Sequence, residues 1–351
     1  MFFKKRKSSM EKEIFEQSEI LEHLINTYIG ENEEILIDIP GGIEQVVFVA
    51  SGSSYHCARY GADIFGSIAN IEARAIYSSE FLLKAVIPHS ENMLYVFITQ
   101  SGETSDTNKA LIKAKQSGVQ TLCITNKEDS TIWNASDYKV CCHAGVERSI
   151  AATKSLTSQM MCVTLLALKF AQIKKMDTEN YVNELTSVPR FVEETYKLRP
   201  RIKQLGRFLS KYKNIVICAD GVSYALAKEA ALKIKETSYL NVTSSILGEF
   251  MHGHVAVLNN KSAFIYILVD DLSYIATKNL NKIKDEYNPP ICIIGNKNVK
   301  IKSTFNVNID CESKIVKYFC VAVMIQLLAL EIALKLGRNV DKPHGLNKVV
   351  K

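Results

Sequence analysis

Ala50-Ser51-Gly52-Ser53-Ser54-Tyr55 and Ala219-Asp220-Gly221-Val222-Ser223-Tyr224 are one short phrase written twice, 169 residues apart in a chain of 351. Each copy follows a short β-branched run, Gln45-Val46-Val47-Phe48-Val49 and Asn214-Ile215-Val216-Ile217-Cys218, and each precedes a helical pattern. Runs of that kind are what buried parallel strands look like. The spacing therefore predicts a duplication, with a strand, Gly/Ser turn and helix heading each of two α/β halves. At such a turn the free amides of a helix start point outward and small hydroxylated residues admit an anion, so a bound phosphate is the first functional expectation.

Working outward, the first half reads as strands at 45–50, 72–77, 93–99, 119–125 and 138–142, with helices at 55–69, 104–117 and 151–172. Alternation of this kind gives a parallel sheet covered on both faces, with right-handed crossovers. A charged stretch from Lys174 to Arg201, with Pro189 and Pro200, has the composition of a helical connector. The second half repeats the scheme, with strands near 214–219, 263–269, 290–295 and 305–309 and a long helix from Glu312 to Leu336. An amphipathic opening, Met10 to Thr27, offers an apolar face suited to a partner, and the tail from Gly337 to Lys351 has no periodicity.

Composition narrows the function classes. A chain with 47% apolar residues can bury one large core or two medium ones, and the repeat favours two. The apolar stretches Met160 to Leu168 and Tyr318 to Leu330 fall short of the roughly 20 residues of a membrane span, so both are expected as buried helices and no membrane contact is expected. Met1-Phe2-Phe3-Lys4-Lys5-Arg6-Lys7 has the positive start of a signal peptide without an apolar core behind it. Lys4, Lys5, Arg6 and Lys7 supply four of the net charge of +6, and the remaining +2 argues against a nucleic-acid surface. The run itself reads as a frayed, solvated tail. Nine cysteines without a CxxC pair, most of them inside apolar runs (Cys123, Cys141, Cys142, Cys218, Cys292), read as reduced core thiols of a cytoplasmic protein.

Two segments carry chemistry. Met93-Leu94-Tyr95-Val96-Phe97-Ile98 runs into Thr99-Gln100-Ser101-Gly102-Glu103-Thr104 and then a helical pattern from Ser105. Thr99, Ser101 and Thr104 put hydroxyls around a helix start whose dipole favours an anion, and Gly102 permits the tight turn. Ser51, Ser53 and Ser54 supply a second hydroxyl set at the end of another strand, in the crevice where open parallel sheets bind ligands. The plainer alternative is that these hydroxyls only cap helices. Neither turn has a dinucleotide or P-loop pattern, so a monophosphate on a small molecule suits the cradle better than a nucleotide.

In the second half, Glu229, Lys233 and Glu236 stand at i, i+4 and i+7 of the helix after Tyr224, on one face. A solvated salt-bridge stripe is the ordinary explanation of such a face. Ala225, Leu226, Ala227, Ala230, Ala231, Leu232 and Ile234 leave this helix little polar surface, so the charges are expected to face a cleft. A carboxylate held beside an ammonium and a phosphosugar can carry a proton between adjacent carbons, a contribution of about 10²–10⁴-fold in rate. Gly248-Glu249-Phe250-Met251-His252-Gly253-His254 follows. His-x-His without a third recognisable ligand is a weak metal signal, so no metal or cofactor is expected and His252 is read as a proton shuttle.

Together these motifs resemble the sugar isomerase (SIS) domain family, in the arrangement of the isomerase half of glucosamine-6-phosphate synthase. The matching segments are Ser51 to His56, Thr99 to Thr104, Ala152-Thr153-Lys154, Glu229 to Glu236, Gly248 to Gly253 and Asp341 to Lys348. The resemblance implies two tandem SIS domains, each a parallel five-stranded sheet flanked by helices in a three-layer, flavodoxin-like α/β fold. It implies boundaries of 1–27 for an N-terminal tail and helix, 28–188 and 189–336 for the two domains, and 337–351 for an active-site tail. It also implies that Ser51, Gly52, Ser53, Ser54, Thr99, Gln100, Ser101, Thr104 and Ala152 bind the sugar phosphate. Glu236 would pass the proton between C1 and C2, Lys233 would stabilise the enediolate-like intermediate, and Glu229 would contact a hydroxyl or position Lys233. His252 would open the sugar ring from a second subunit of a homodimer, and Lys348 would approach the carbonyl, where the family can form a Schiff base.

The departures from that pattern are informative. The synthase begins with a glutaminase domain and a cysteine nucleophile; this sequence begins Met1-Phe2-Phe3, so ammonia drawn from glutamine is not expected. Glu147 to Ser155 and Pro343 to Lys348 are more similar to stand-alone SIS deaminases, which turn glucosamine 6-phosphate into fructose 6-phosphate and ammonia. His254 stands where the synthase-like pattern has proline, and His344 where arginine is usual. The leading expectation is a phosphosugar aldose-ketose isomerase of the deaminating kind. A fructosamine-6-phosphate deglycase, a simple phosphosugar isomerase and a non-catalytic phosphosugar sensor are the alternatives. Sensors of this family usually carry a helix-turn-helix domain, for which the short N-terminal segment leaves no room.

Overall fold

The computed structural model describes residues 7–297 and 301–348; the basic run Lys4-Lys5-Arg6 lies outside them. The chain divides into two compact units. One comprises residues 19–147, 154–187 and 347–351, the other residues 1–18, 148–153 and 188–346.

In the first of these, β1 (Gln45–Ala50), β2 (Glu72–Tyr77), β3 (Met93–Thr99), β4 (Gln120–Thr125) and β5 (Tyr138–Cys141) form an all-parallel sheet in the order β2-β1-β3-β4-β5. Side chains alternate between its faces. Val47, Val49, Tyr95, Phe97 and Cys123 pack against Phe81 of α4 (Ser78–Leu83), Leu111 of α5 (Ser105–Gln116) and Ile132 of α6 (Thr131–Ala135). Phe48 points the other way, edge-on to Phe65 of α3 (Gly52–Ala69). Along α3, Gly61 lets α7 (Lys154–Ile173) approach closely, since a Cβ there would meet Val163 at 2.6 Å. The buried hydroxyls of Tyr60 and Thr164 satisfy one another at 2.9 Å across this helix pair.

The second unit repeats the plan. β6 (Asn214–Ala219), β7 (Asn241–Ile246), β8 (Ser262–Leu268), β9 (Ile291–Gly295) and β10 (Phe305–Asn308) form a parallel sheet in the order β7-β6-β8-β9-β10, the same topology strand for strand. Val216, Cys218, Phe264, Tyr266 and Ile293 pack against Phe250 of α11 (Leu247–Phe250) and Leu280 of α12 (Tyr274–Tyr287). α10 (Ser223–Ser238) and α13 (Lys314–Lys335) pack together as α3 and α7 do, and Thr237 Oγ1 donates to the Ala329 carbonyl of α13 at 3.4 Å. The fold is thus two three-layer α/β domains of one topology, and the repeated phrase marks the first strand-to-helix turn of each.

Two expectations need correction. The helices around the apolar stretches are longer than those stretches, 20 residues for α7 and 22 for α13, so by length and composition each passes for a membrane span. Burial accounts for their apolarity, since Phe319, Val323, Leu327 and Leu330 of α13 are fully covered by the chain itself. The amphipathic opening does not await a partner. It forms α1 (Ser9–Phe15) and α2 (Gln17–Tyr28), whose Met10, Ile14, Leu21 and Leu24 are wholly buried. Arg199 ties α1 down, donating to Glu11 at 2.7 Å and to Glu331 of α13 at 2.8 Å.

The Lys174 to Arg201 connector is helical, as expected: α8 (Glu179–Tyr196) and the start of α9 (Arg199–Leu209) occupy it. None of the nine cysteines forms a disulfide; eight are buried and Cys311 is half-buried.

Candidate active site

The order β2-β1-β3-β4-β5 reverses direction between β1 and β3, which is where a doubly wound sheet opens a crevice at the carboxyl ends of its strands. Both hydroxyl-bearing turns lie at this switch point. Ser51-Gly52 follows β1 directly, and Gln100 to Thr104 follow β3. Gly52 has φ +58 and Gly102 φ +69, a region that side-chain-bearing residues avoid. At Gly102 packing adds to conformation, because a Cβ would fall 2.0 Å from Ser130 Oγ.

The second turn is held by its own backbone. The Gln100 carbonyl accepts from Asn126 N at 3.2 Å, and the Gly102 carbonyl from Asn108 Nδ2 at 3.2 Å and Ile132 N at 3.3 Å. Glu103 turns outward to take Thr131 N at 2.8 Å and its hydroxyl at 2.9 Å. Within this frame the Thr99 and Thr104 hydroxyls lie 2.9 Å apart, and Ser101 Oγ accepts from Glu103 N at 3.1 Å. Ser51 and Thr104 occupy N-cap positions of α3 and α5, yet neither side chain bonds a helix amide. The capping explanation thus fails for these two, and both helix starts keep their dipoles directed at the crevice. Ser51, Ser53, Ser54 and Gln100 are half-buried around it and Thr99 is buried.

The equivalent turn of the other domain is built for something else. Gly221 matches Gly52 in backbone, with φ +54, but Asp220 replaces Ser51 and accepts from the Tyr266 hydroxyl of β8 at 2.7 Å. Burial, and then the Asp220 carboxylate, push the Tyr266 phenol well above its ordinary range. A carboxylate at that position repels an anion, so this turn is not a candidate phosphate cradle.

In that unit α10 carries the Glu/Lys face. Glu229 and Lys233 are 1% exposed and Glu236 21%. The Lys233 ammonium sits 2.5 Å from Glu236 Oε2 and 3.6 Å from Glu229 Oε1. A solvated stripe is ruled out by this burial. An ammonium out of water needs compensating charge, and the two carboxylates one turn to either side provide it. Of the three groups Glu236 alone retains access to a substrate.

His252 is exposed in the turn after α11, its backbone N bonded to the Glu249 carbonyl at 3.0 Å. His254 is exposed at the start of the 3₁₀ turn His254–Val257. Ala152 lies half-buried between β5 and α7, in the unit that also holds α10 rather than in the unit of the cradle. Among the described residues no cluster of three or more His, Cys, Asp and Glu side chains is arranged to hold a metal.

Lys348, from the tail, donates to Glu147 Oε2 at 2.5 Å. Glu147 is wholly buried in its side chain, and its oxygens also accept from Ser155 N at 3.2 Å and Ser155 Oγ at 2.7 Å. Sequence reasoning singled out the segment Glu147 to Ser155 but not the pairing of this carboxylate with Lys348, which is 201 residues away and beyond any local pattern.

The SIS domain family model matches residues 43–169 and 208–336 of the chain. Glutamine-fructose-6-phosphate aminotransferase (isomerizing) of Campylobacter jejuni is 31% identical over 346 residues, covering 97% of this chain and 58% of the relative. The chain therefore spans under two-thirds of the length of that relative. Among solved structures, the C-terminal domain of glucosamine-fructose-6-phosphate aminotransferase from Francisella tularensis superposes with a TM-score of 0.90 at 25% identity, covering 97% of this chain and 99% of that one. Glucosamine-6-phosphate deaminase from Thermotoga maritima shares the fold, with a TM-score of 0.78 at 22% identity, covering 98% and 99%.

Proposed function

Because the chain belongs to the SIS domain family and carries two copies of its domain, we propose that it is a phosphosugar aldose-ketose isomerase of the deaminating kind, acting on glucosamine 6-phosphate. The observation that carries this reading is the buried Lys233 ammonium bracketed by Glu229 and by the partly exposed Glu236. In this reading the cradle of Ser51, Ser53, Ser54, Thr99, Gln100, Ser101 and Thr104 binds the 6-phosphate. The carboxylate of Glu236 takes the C2 proton of the open-chain amino sugar and returns it to C1, while Lys233 stabilises the negative charge that develops on the C1 oxygen between the two steps. The product is an imine at C2. Water adds to that carbon and ammonia leaves, giving fructose 6-phosphate.

His252 opens the sugar ring from a second copy in a homodimer; its exposure in a turn supports a role outside its own protomer. Lys348, held by Glu147, meets the substrate carbonyl. Eight buried thiols and no disulfide suit the reducing cytoplasm. The testing experiment is a coupled assay for ammonia and fructose 6-phosphate, run on glucosamine 6-phosphate with galactosamine 6-phosphate and a fructosamine 6-phosphate alongside. Release confined to the fructosamine compound would replace this reading with the deglycase one.

A further inference from the structure

A second polar cavity, of about 760 Å³, is lined by Lys7, Ser8, Ser9, Lys12, Arg148 and Asp341. Three segments distant in sequence converge there: the start of α1, the loop before α7 and the C-terminal tail. The charge is unbalanced, with three cationic side chains against one carboxylate. That carboxylate is already committed, because Asp341 accepts from Ser9 N at 2.8 Å and from Met10 N at 2.9 Å. It therefore fills the amides of the helix start and does not pair with the cations. Lys12 and Arg148 are exposed, and their side chains have no carboxylate partner among the described residues. The Lys7 ammonium lies over the Phe15 ring, 5.2 Å from its centre.

The backbone beneath the cavity is firm. The buried Glu13 carboxylate accepts from Arg148 N at 2.5 Å and from Ser149 N at 3.2 Å, and Ile150 N donates to the Asp341 carbonyl at 3.4 Å. The backbone that carries Arg148 is thus fixed. A guanidinium and two ammonium groups lining one cavity together with two serines have the chemistry to hold a phosphate or diphosphate group. The volume lies within the range of small-molecule sites and exceeds what one phosphate fills.

We propose that this cavity binds a phosphorylated small molecule, separately from the sugar-phosphate cradle. None of its lining residues belongs to the cradle or the acid/base helix, so the proposal is independent of the reaction assigned above.

The test is calorimetric titration of the full chain with inorganic pyrophosphate at low salt, in wild type, in the cradle variant Ser101→Ala/Thr104→Ala, and in Lys12→Gln/Arg148→Gln. The substituted side chains of the last are exposed, and an unchanged melting temperature establishes that it is folded. The expected result is a pyrophosphate-binding event that persists in the cradle variant and weakens about tenfold or more in Lys12→Gln/Arg148→Gln, as loss of charge-assisted bonds requires. Equal binding by Lys12→Gln/Arg148→Gln and wild type, or loss of all binding in the cradle variant, would overturn it. Charge reversal, Arg148→Glu, gives an independent second reading in which binding is expected to vanish. Ammonia release from an amino sugar is not read in this experiment, so the two proposals fail separately.

Discussion

Lys233 and Glu236 share a hydrogen bond of 2.5 Å on one helix face while differing in exposure, 1% against 21%. The pairing gives the face an order: a buried cation and a carboxylate at the surface to meet substrate. Glu229, as buried as Lys233 and 3.6 Å from it, balances the charge from the other side. In the proposed reaction a proton carried by Glu236 would move beside this positive charge, which would favour an anionic intermediate between the two transfers.

Removing Lys233 leaves Glu229 buried without its counter-charge. Lys233→Met is expected to destabilise the protein by about 3–5 kcal/mol, as loss of one partner of a buried pair does. Lys233→Met/Glu229→Gln is expected to recover most of that loss. Urea unfolding of the two variants measures it, and equal destabilisation in both would show that the pair is not the cause.

Gly102 is demanded twice, by φ +69 and by Ser130 Oγ, which lies 2.0 Å from where a Cβ would stand. Gly102→Ala is expected to cost at least about 2 kcal/mol of stability and to weaken sugar-phosphate binding together with it. Gly66, in α3, has open space in the same direction, and Gly66→Ala is expected to be neutral or mildly stabilising. Thermal unfolding and a phosphate titration of both variants check the contrast.

What the sequence discloses follows what local patterns can encode. Strands 45–50, 72–77, 93–99 and 214–219 are legible to the residue; 45–50, 93–99 and 214–219 are apolar runs closed by a turn, whereas 72–77 alternates polar and apolar residues before a helix start. β7, at 241–246, escapes reading: it is an edge strand whose Asn241, Thr243, Ser244 and Ser245 leave Val242 as its one buried side chain, so no apolar run announces it. Both hydroxyl turns and the Glu/Lys face are visible as motifs. Their environment is not: spacing puts Glu229, Lys233 and Glu236 on one face but does not say that the face is buried. The Glu147–Lys348 and Asp341–Ser9 bonds join positions 201 and 332 residues apart, beyond any local pattern.

Glu147 is wholly buried in its side chain and bonds Lys348, so in the proposed reaction it would act as a positioning residue. Glu147→Gln keeps an oxygen for Ser155 and loses the charge that anchors the ammonium. The expected outcome is a drop of about tenfold or more in kcat with faster proteolytic clipping of the tail after Asp341, read by mass spectrometry. A normal rate of clipping would separate the tail from Glu147.

Thiol chemistry checks the core. Burial pushes the Cys123 thiol up to about 11 and the Cys292 and Cys320 thiols up to about 12, so these stay protonated and unreactive at pH 8. Cys311 is half-buried. Native protein is expected to react rapidly with an aromatic disulfide reagent at one thiol per chain, and denatured protein at nine. Several fast thiols in the native state would contradict the packing described.

Whether Glu236 carries the proton in a deaminating isomerisation is decided by ammonia release from glucosamine 6-phosphate in wild type and in Glu236→Gln. Wild type is expected to give stoichiometric ammonia and fructose 6-phosphate, and a Glu236→Gln protein that melts normally is expected to be slower by at least about 10²-fold. Equal turnover by the two proteins, or no release by wild type, would refute that role.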